Sequence, residues 1–130
     1  VPTSYADMDT AQIGVKLYAD TGLGPVEILD KPINKKAINN FFKAYSAAQA
    51  AYYLGNYNKS LEFYALADSY SSKDKTYTFY LDYASAAQTA NNNEVFTRQI
   101  DAAKKSVSND KNLSDSEKKD LITTIEKKAS

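Results

Sequence analysis

The sequence predicts an all-α fold: antiparallel helix pairs, a C-terminal capping helix and an irregular N-terminal arm. Three observations carry this prediction. Gly14, Gly22 and Gly24 and all three prolines (Pro2, Pro25, Pro32) lie in the first 32 residues, and only Gly55 follows them. A long tract nearly free of both residues, rich in Ala and Lys, favours helix. Apolar residues then recur at intervals of three and four, the spacing of one helix face. Short polar breaks interrupt that rhythm at helix-sized intervals. Residues 1–32 therefore read as an arm with a partial helix, and 33–130 as one helical domain.

Thr10 to Asp20 has the composition of a helix capped by Asp9 or Thr10. Residues 21–32 read as a loop or short extended arm, because Pro32 would break a helix there. Val26, Ile28 and Leu29 are expected to tuck against the helical body. The first regular helix is carried by Phe41, Ala44, Tyr45, Ala48, Ala51 and Tyr52. It stops at Gly55-Asn56, because both residues tolerate the left-handed backbone of a helix end. Leu61, Tyr64, Ala65 and Asp68 mark a second helix, which pauses at Ser71-Ser72-Lys73-Asp74. Tyr80, Tyr83, Ala84 and Ala87 mark a third, ended by Asn91-Asn92-Asn93, and Phe96, Ile100, Ala103 and Val107 a fourth. Ser114-Asp115-Ser116-Glu117 is a capping box opening the last helix. Its stripe of Leu121, Ile122 and Ile125 is narrow and its back is charged, as befits a helix packed on one side only.

Composition limits the chemistry. Sixteen basic and sixteen acidic residues cancel, so a phosphate backbone offers little counterion-release energy and nucleic acid is not expected as a partner. No basic block exceeds a Lys pair, which argues against an anionic membrane surface. No run reaches the ~18 apolar residues of a membrane-spanning helix. The absence of Cys removes thiolate nucleophiles and thiol metal sites, and the absence of His removes the side chain best suited to proton transfer near neutrality. No enzyme activity, cofactor or metal is expected. The chain begins at Val1, and a removed export signal would explain that start, placing it in the cell envelope or periplasm.

Residues 50–67, AAYYLGNYNKSLEFYALA, resemble a tetratricopeptide repeat. The resemblance rests on the turn glycine Gly55, aromatic Tyr57, small Ser60, aromatic Tyr64 and Ala67. The first-helix places hold Ala44, Ala47-Ala48 and Ala51, where the family often has Trp, a Leu-Gly-like pair and Tyr. Moving 36 residues on, Asn91 takes the place of Gly55, Phe96 of Ser60, Ile100 of Tyr64 and Ala103 of Ala67. Tyr80, Tyr83-Ala84 and Ala87 fill the corresponding first-helix places. A weaker, earlier copy aligns Ile13-Gly14 and Leu17, but Pro25 and Pro32 spoil its second half. The resemblance covers about residues 41–108 and implies a right-handed stack of helix pairs. It also implies a non-catalytic adaptor that binds a peptide or protein segment in a concave groove.

Carried over position by position, the groove falls on Phe42, Tyr45, Gln49, Tyr52 and Tyr53, and in the second copy on Thr78, Leu81, Ser85, Gln88 and Thr89. Lys, Arg and Asn are absent from these places, so a carboxylate clamp is not expected. An aromatic and amide surface for a neutral or apolar segment is. Residues 44–58 carry no charge, and nine of the eleven tyrosines fall between Tyr45 and Tyr83. Aromatic rows at helical spacing are more often core than binding surface, so Tyr57, Tyr64, Tyr80 and Tyr83 are assigned to packing. Adjacent Tyr52 and Tyr53 point about 100° apart, so at least one faces outward. Two rival readings are a small-molecule or lipid pocket lined by the tyrosines with Phe41 and Phe42, and homo-oligomerisation along the uncharged helix.

Several motifs mimic chemistry. Asp7-Met8-Asp9-Thr10 matches a phosphatase nucleophile signature but follows a ragged terminus rather than a buried strand. Asp110, Asn112 and Ser114 have the spacing of a calcium loop, yet Asp115 occupies its Gly position and Leu121 its bidentate Glu position. Asn58-Lys59-Ser60 and Asn112-Leu113-Ser114 match the glycosylation sequon. Gly22 and Gly24 lack the Lys-Ser/Thr of a phosphate loop. Glu62 with Asp68 or Asp82 is the one candidate carboxylate pair.

Overall fold

A computed structural model describes residues 22, 23, 28, 29 and 31–129. Its long elements are all helical: α1 (Phe41–Tyr53), α2 (Tyr57–Ser69), α3 (Tyr77–Thr89), α4 (Asn93–Ser108) and α5 (Asp115–Ala129). They fall into two compact units, Val1–Ser71 and Ser72–Ser130. The expected helix over Thr10–Asp20, the Asp7–Thr10 motif and Val26 lie outside the described residues.

In the first unit, α1 and α2 form a hairpin joined by Leu54, Gly55 and Asn56. Asn40 caps α1 by accepting the Lys43 N–H on Oδ1 at 2.8 Å, and Asn56 caps α2 by accepting from Lys59 at 3.0 Å. Between them α1 ends in a left-handed turn at Gly55, φ +88°. The Gly55 N–H donates to the Tyr52 carbonyl at 3.1 Å and the Asn56 N–H to Ala51 at 3.0 Å, which satisfies carbonyls the helix end would leave bare.

Small residues make this hairpin close. Ala44, Ala47, Ala48, Ala50 and Ala51 are fully buried on α1. Ser60 on α2 is fully buried too, its Oγ donating to the Ala48 carbonyl at 2.7 Å. The buried face of α2 is Ser60, Phe63, Tyr64 and Ala67, with Phe63 fully enclosed. The rhythm through Leu61 and Ala65 is thus off by one position, since Leu61 is half-buried and Ala65 exposed. Ahead of α1, Ile28 and Ile38 are buried. Lys59 Nζ donates to the Lys31 carbonyl at 2.9 Å and the Tyr70 hydroxyl to the Ile38 carbonyl at 2.9 Å, so α2 holds residues 31–38 from both of its ends.

The second unit repeats the hairpin. Phe41 to Tyr77 and Tyr57 to Asn93 are both steps of 36 positions, and α1 and α3 have the same 13-residue length. The turn repeats bond for bond. Asn91 adopts φ +60°, its N–H donates to Gln88 at 3.1 Å, and the Asn92 N–H donates to Ala87 at 2.8 Å. Asn92 then caps α4 by accepting the Val95 N–H at 3.1 Å. Core positions repeat as well: Ala47, Ala48, Ala50, Ala51, Phe63, Tyr64 and Ala67 are buried, and so are Tyr83, Ala84, Ala86, Ala87, Gln99, Ile100 and Ala103.

Helix α5 adds one more layer to this unit. Ile125 is buried with Ala84, Ile100, Ala103 and Val107, and Leu121, Ile122 and Leu113 pack at the edge of that cluster. The remaining face of α5 is largely charged and exposed, and Glu126 on it lies 3.8 Å from Lys104 of α4. The capping box has the expected geometry: the Glu117 N–H donates to Ser114 Oγ and the Ser114 N–H to Glu117 Oε1, both at 3.1 Å.

Candidate functional site

Helix α1 is buried around most of its circumference, and what remains forms one stripe. Its residues outside the core are Phe42, Lys43, Tyr45, Gln49, Tyr52 and Tyr53. At about 100° per residue, Phe42, Tyr45, Gln49, Tyr52 and Tyr53 fall within a sector about 100° wide. These are the five residues expected of a binding face, brought together by one helix. Their exposure is graded. Phe42 is the most exposed large apolar residue described, at 61%, and Tyr53 is next within the stripe at 37%. Tyr45 is half-buried and packs its ring against Phe41 at 5.6 Å and Tyr64 at 6.0 Å, so it forms the floor of the stripe.

At the C-terminal end of α1 the stripe widens into an aromatic cluster. Tyr52 meets Tyr53 edge-on at 5.4 Å between ring centroids and Tyr57 at 5.3 Å. Leu54, 40% exposed, sits beside them in the turn. Tyr57 was expected in the core and instead stands at the surface. It opens α2, before that helix's first buried residue, Ser60. The sequence signal that identifies it is the same absence of charge, since Tyr57 falls within the neutral run 44–58.

The corresponding face of α3 is different in character. Thr78, Gln88 and Thr89 are exposed and Ser85 is half-buried, with the Thr89 hydroxyl donating to the Ser85 carbonyl at 3.0 Å. Leu81 is half-buried against the α4–α5 core cluster, so it contributes to packing in its own unit.

The motifs that mimic chemistry have structural roles where they are described. Asp110 Oδ1 accepts the Asn112 N–H at 2.8 Å and Ser114 caps α5, so both serve turns. Ser60 of the first sequon is buried in the hairpin. Glu62 lies 3.9 Å from Lys59, a cation rather than a second carboxylate. Among the described residues no group of three or more acidic, His or Cys side chains could hold a metal, and no helix is long and apolar enough to cross a membrane. No protein-family description, curated protein or solved structure matches the chain.

Proposed function

We propose that the chain is a non-catalytic interaction module of the tetratricopeptide-repeat type that binds a peptide or protein segment along the exposed stripe of α1. Phe42, Tyr45, Gln49, Tyr52 and Tyr53 form the contact surface. In this reading the helix pairs stack with a common right-handed twist and α5 caps the end.

The internal repeat is the observation that supports it. Two hairpins with the same helix starts, the same turn and a shared set of buried positions show what the backbone requires at many of these sites. Where the first carries Phe42, Tyr52, Tyr53, Leu54 and Tyr57, the second carries Thr78, Gln88, Thr89, Ala90 and Asn93. The hairpin forms without aromatics at these places. Phe42, Tyr53, Leu54 and Tyr57 are exposed at a cost in solubility, and the second hairpin forms without them, so their presence in one copy supports a role outside the hairpin. Binding supplies one, since Tyr and Phe give large rigid contact area at small entropic cost.

Photo-crosslinking in the source cells tests this. A photoreactive phenylalanine analogue replacing Tyr53 is expected to trap a discrete protein adduct, and the same analogue replacing Thr89 to trap far less. Phe42→Thr/Tyr53→Thr, which copies the second hairpin's residues into the first, is expected to abolish capture with unchanged helicity. Equal crosslinking at the two positions, or capture that survives the double substitution, would remove the proposal's support.

A further inference from the structure

The stripe of α1 begins in a field of unpaired positive charge. From Lys31 to Leu61 the sequence contains Lys31, Lys35, Lys36, Lys43 and Lys59 and no Asp or Glu. Lys59 is committed to the Lys31 carbonyl and to Glu62. Lys43 reaches back to Asn39 Oδ1 at 3.4 Å. Lys31, Lys35 and Lys36 are exposed, and no carboxylate among the described residues pairs with them.

The neighbouring polar groups are also donors. Asn34 accepts the Lys36 and Ala37 N–H groups on Oδ1, and Asn40 accepts that of Lys43, which leaves each amide its NH₂ as the remaining hydrogen-bonding group. Helix α1 carries no acidic residue in its first turn, so the positive end of its dipole is uncompensated. Phe42, the most exposed apolar side chain described, lies between these lysines in the chain. None of this is demanded by the hairpin, because 36 positions on Lys35, Lys36, Phe42 and Lys43 become Ser71, Ser72, Thr78 and the buried Phe79.

We infer that residues 31–43 dock an acidic segment of the partner protein, with carboxylates on Lys35, Lys36 and Lys43 and an apolar side chain on Phe42. This rests on the binding face proposed above and assigns the charge of its occupant. A protein segment fits better than a lipid headgroup or a phosphate. The basic patch leads into an uncharged aromatic stripe that runs on from Phe42 to Tyr53, about 17 Å along the helix at 1.5 Å per residue. A linear chain with acidic residues at one end and neutral ones beyond matches both parts. The lysines lie outside the groove-facing places, so this is not a carboxylate clamp.

The test uses the full chain and fluorescent synthetic peptides in which glutamates flank a single leucine, with a glutamine-for-glutamate control. Binding of the acidic peptide is expected to weaken steeply with salt, as exposed charges do over a Debye length of ~10 Å. Lys35→Glu/Lys36→Glu is expected to weaken it about tenfold or more, while Lys111→Glu/Lys128→Glu, the same charge change elsewhere, leaves it unaltered. Equal binding of the two peptides, equal losses from both lysine pairs, or preferential binding to phosphatidylserine vesicles would overturn the inference. If Phe42→Ala weakens binding and lysine reversal does not, the aromatic face stands and the acidic partner falls. If lysine reversal alone matters, the lysine patch stands and the aromatic face falls.

Discussion

Ser60 Oγ donates to the Ala48 carbonyl across the first hairpin at 2.7 Å, and both residues are fully buried. The hydroxyl bridges α1 and α2, and 36 positions on the second hairpin has half-buried Phe96 in the place of Ser60 and Ala84 in that of Ala48. Ser60→Ala removes the bond and no bulk, so it is expected to cost about 1 kcal/mol. Ser60→Phe forces a ring into the Ala-lined seam and is expected to cost about 1–3 kcal/mol, the range for overpacking. Urea denaturation of the three proteins checks both the order and the sizes.

Gly55 and Asn91 occupy the same left-handed place in the two turns. A Cβ at Gly55 would meet nothing within 4 Å, so Gly55→Ala is expected to cost only the torsional ~1–2 kcal/mol of a left-handed L-residue. Asn91→Ala carries a similar penalty, because Asn tolerates this conformation better than Ala does. Asn91→Gly is expected to be near neutral: the folded turn relaxes while the unfolded chain gains freedom. Thermal denaturation of the three variants tests this. Unchanged stability with Ala at either position would show that the turn does not need its left-handed residue.

Gln99 is buried at the position that Phe63 fills in the first hairpin, and its Oε1 has no hydrogen-bond partner. A desolvated, unsatisfied carbonyl is a net cost, so Gln99→Leu is expected to raise stability by about 1 kcal/mol. Gln99→Ala removes the same oxygen but leaves a void and is expected to fall below Gln99→Leu. The denaturant midpoints decide the order.

Glu117 is held below the usual carboxylate range by the Ser114 backbone N–H first and by the Ser114 hydroxyl second. The folded-state value lies below the unfolded one, so the capping contribution is present in full above the unfolded value. It is lost as pH falls through the folded value. Acidification below pH ~4.5 is therefore expected to fray the start of α5. NMR titration is expected to show Glu117 moving toward its ordinary pKa in Ser114→Ala. No change there would mean that the Ser114 hydroxyl takes no part in lowering it, because the variant keeps the backbone N–H.

The helices, the two tight turns and the Ser114–Glu117 cap were legible because each depends on local chemistry. Gly55-Asn56 and Asn91-Asn92 announce turns, and Ser114 with Glu117 announces a cap, whatever surrounds them. Phe42, Tyr45, Gln49, Tyr52 and Tyr53, carried over from the repeat resemblance, share one side of α1 because helical spacing puts them within about 100° of one another. The face of α2 was misread by one position because Leu61 and Ala65 are as apolar as Phe63 and Ala67, and only packing against α1 chooses between them. Tyr57 was misplaced for a similar reason: an aromatic at the start of a helix meets no partner until the opposing helix is known. The lysine-rich approach to α1 was hidden by the balanced total charge, which averages away a local excess.

Among the described residues the most extensive helix pairings join sequence neighbours: α1 with α2, α3 with α4, and α4 with α5. Each of the two tight turns closes over three residues, Leu54–Asn56 and Ala90–Asn92. Such closures lose little chain entropy before contacts begin to form, and chains with low contact order fold quickly. The contacts between α1 and α2 can form once Ser69 has been made, because both helices lie before it. Assembly can therefore track synthesis, with the earlier hairpin collapsing while the later one is still being translated.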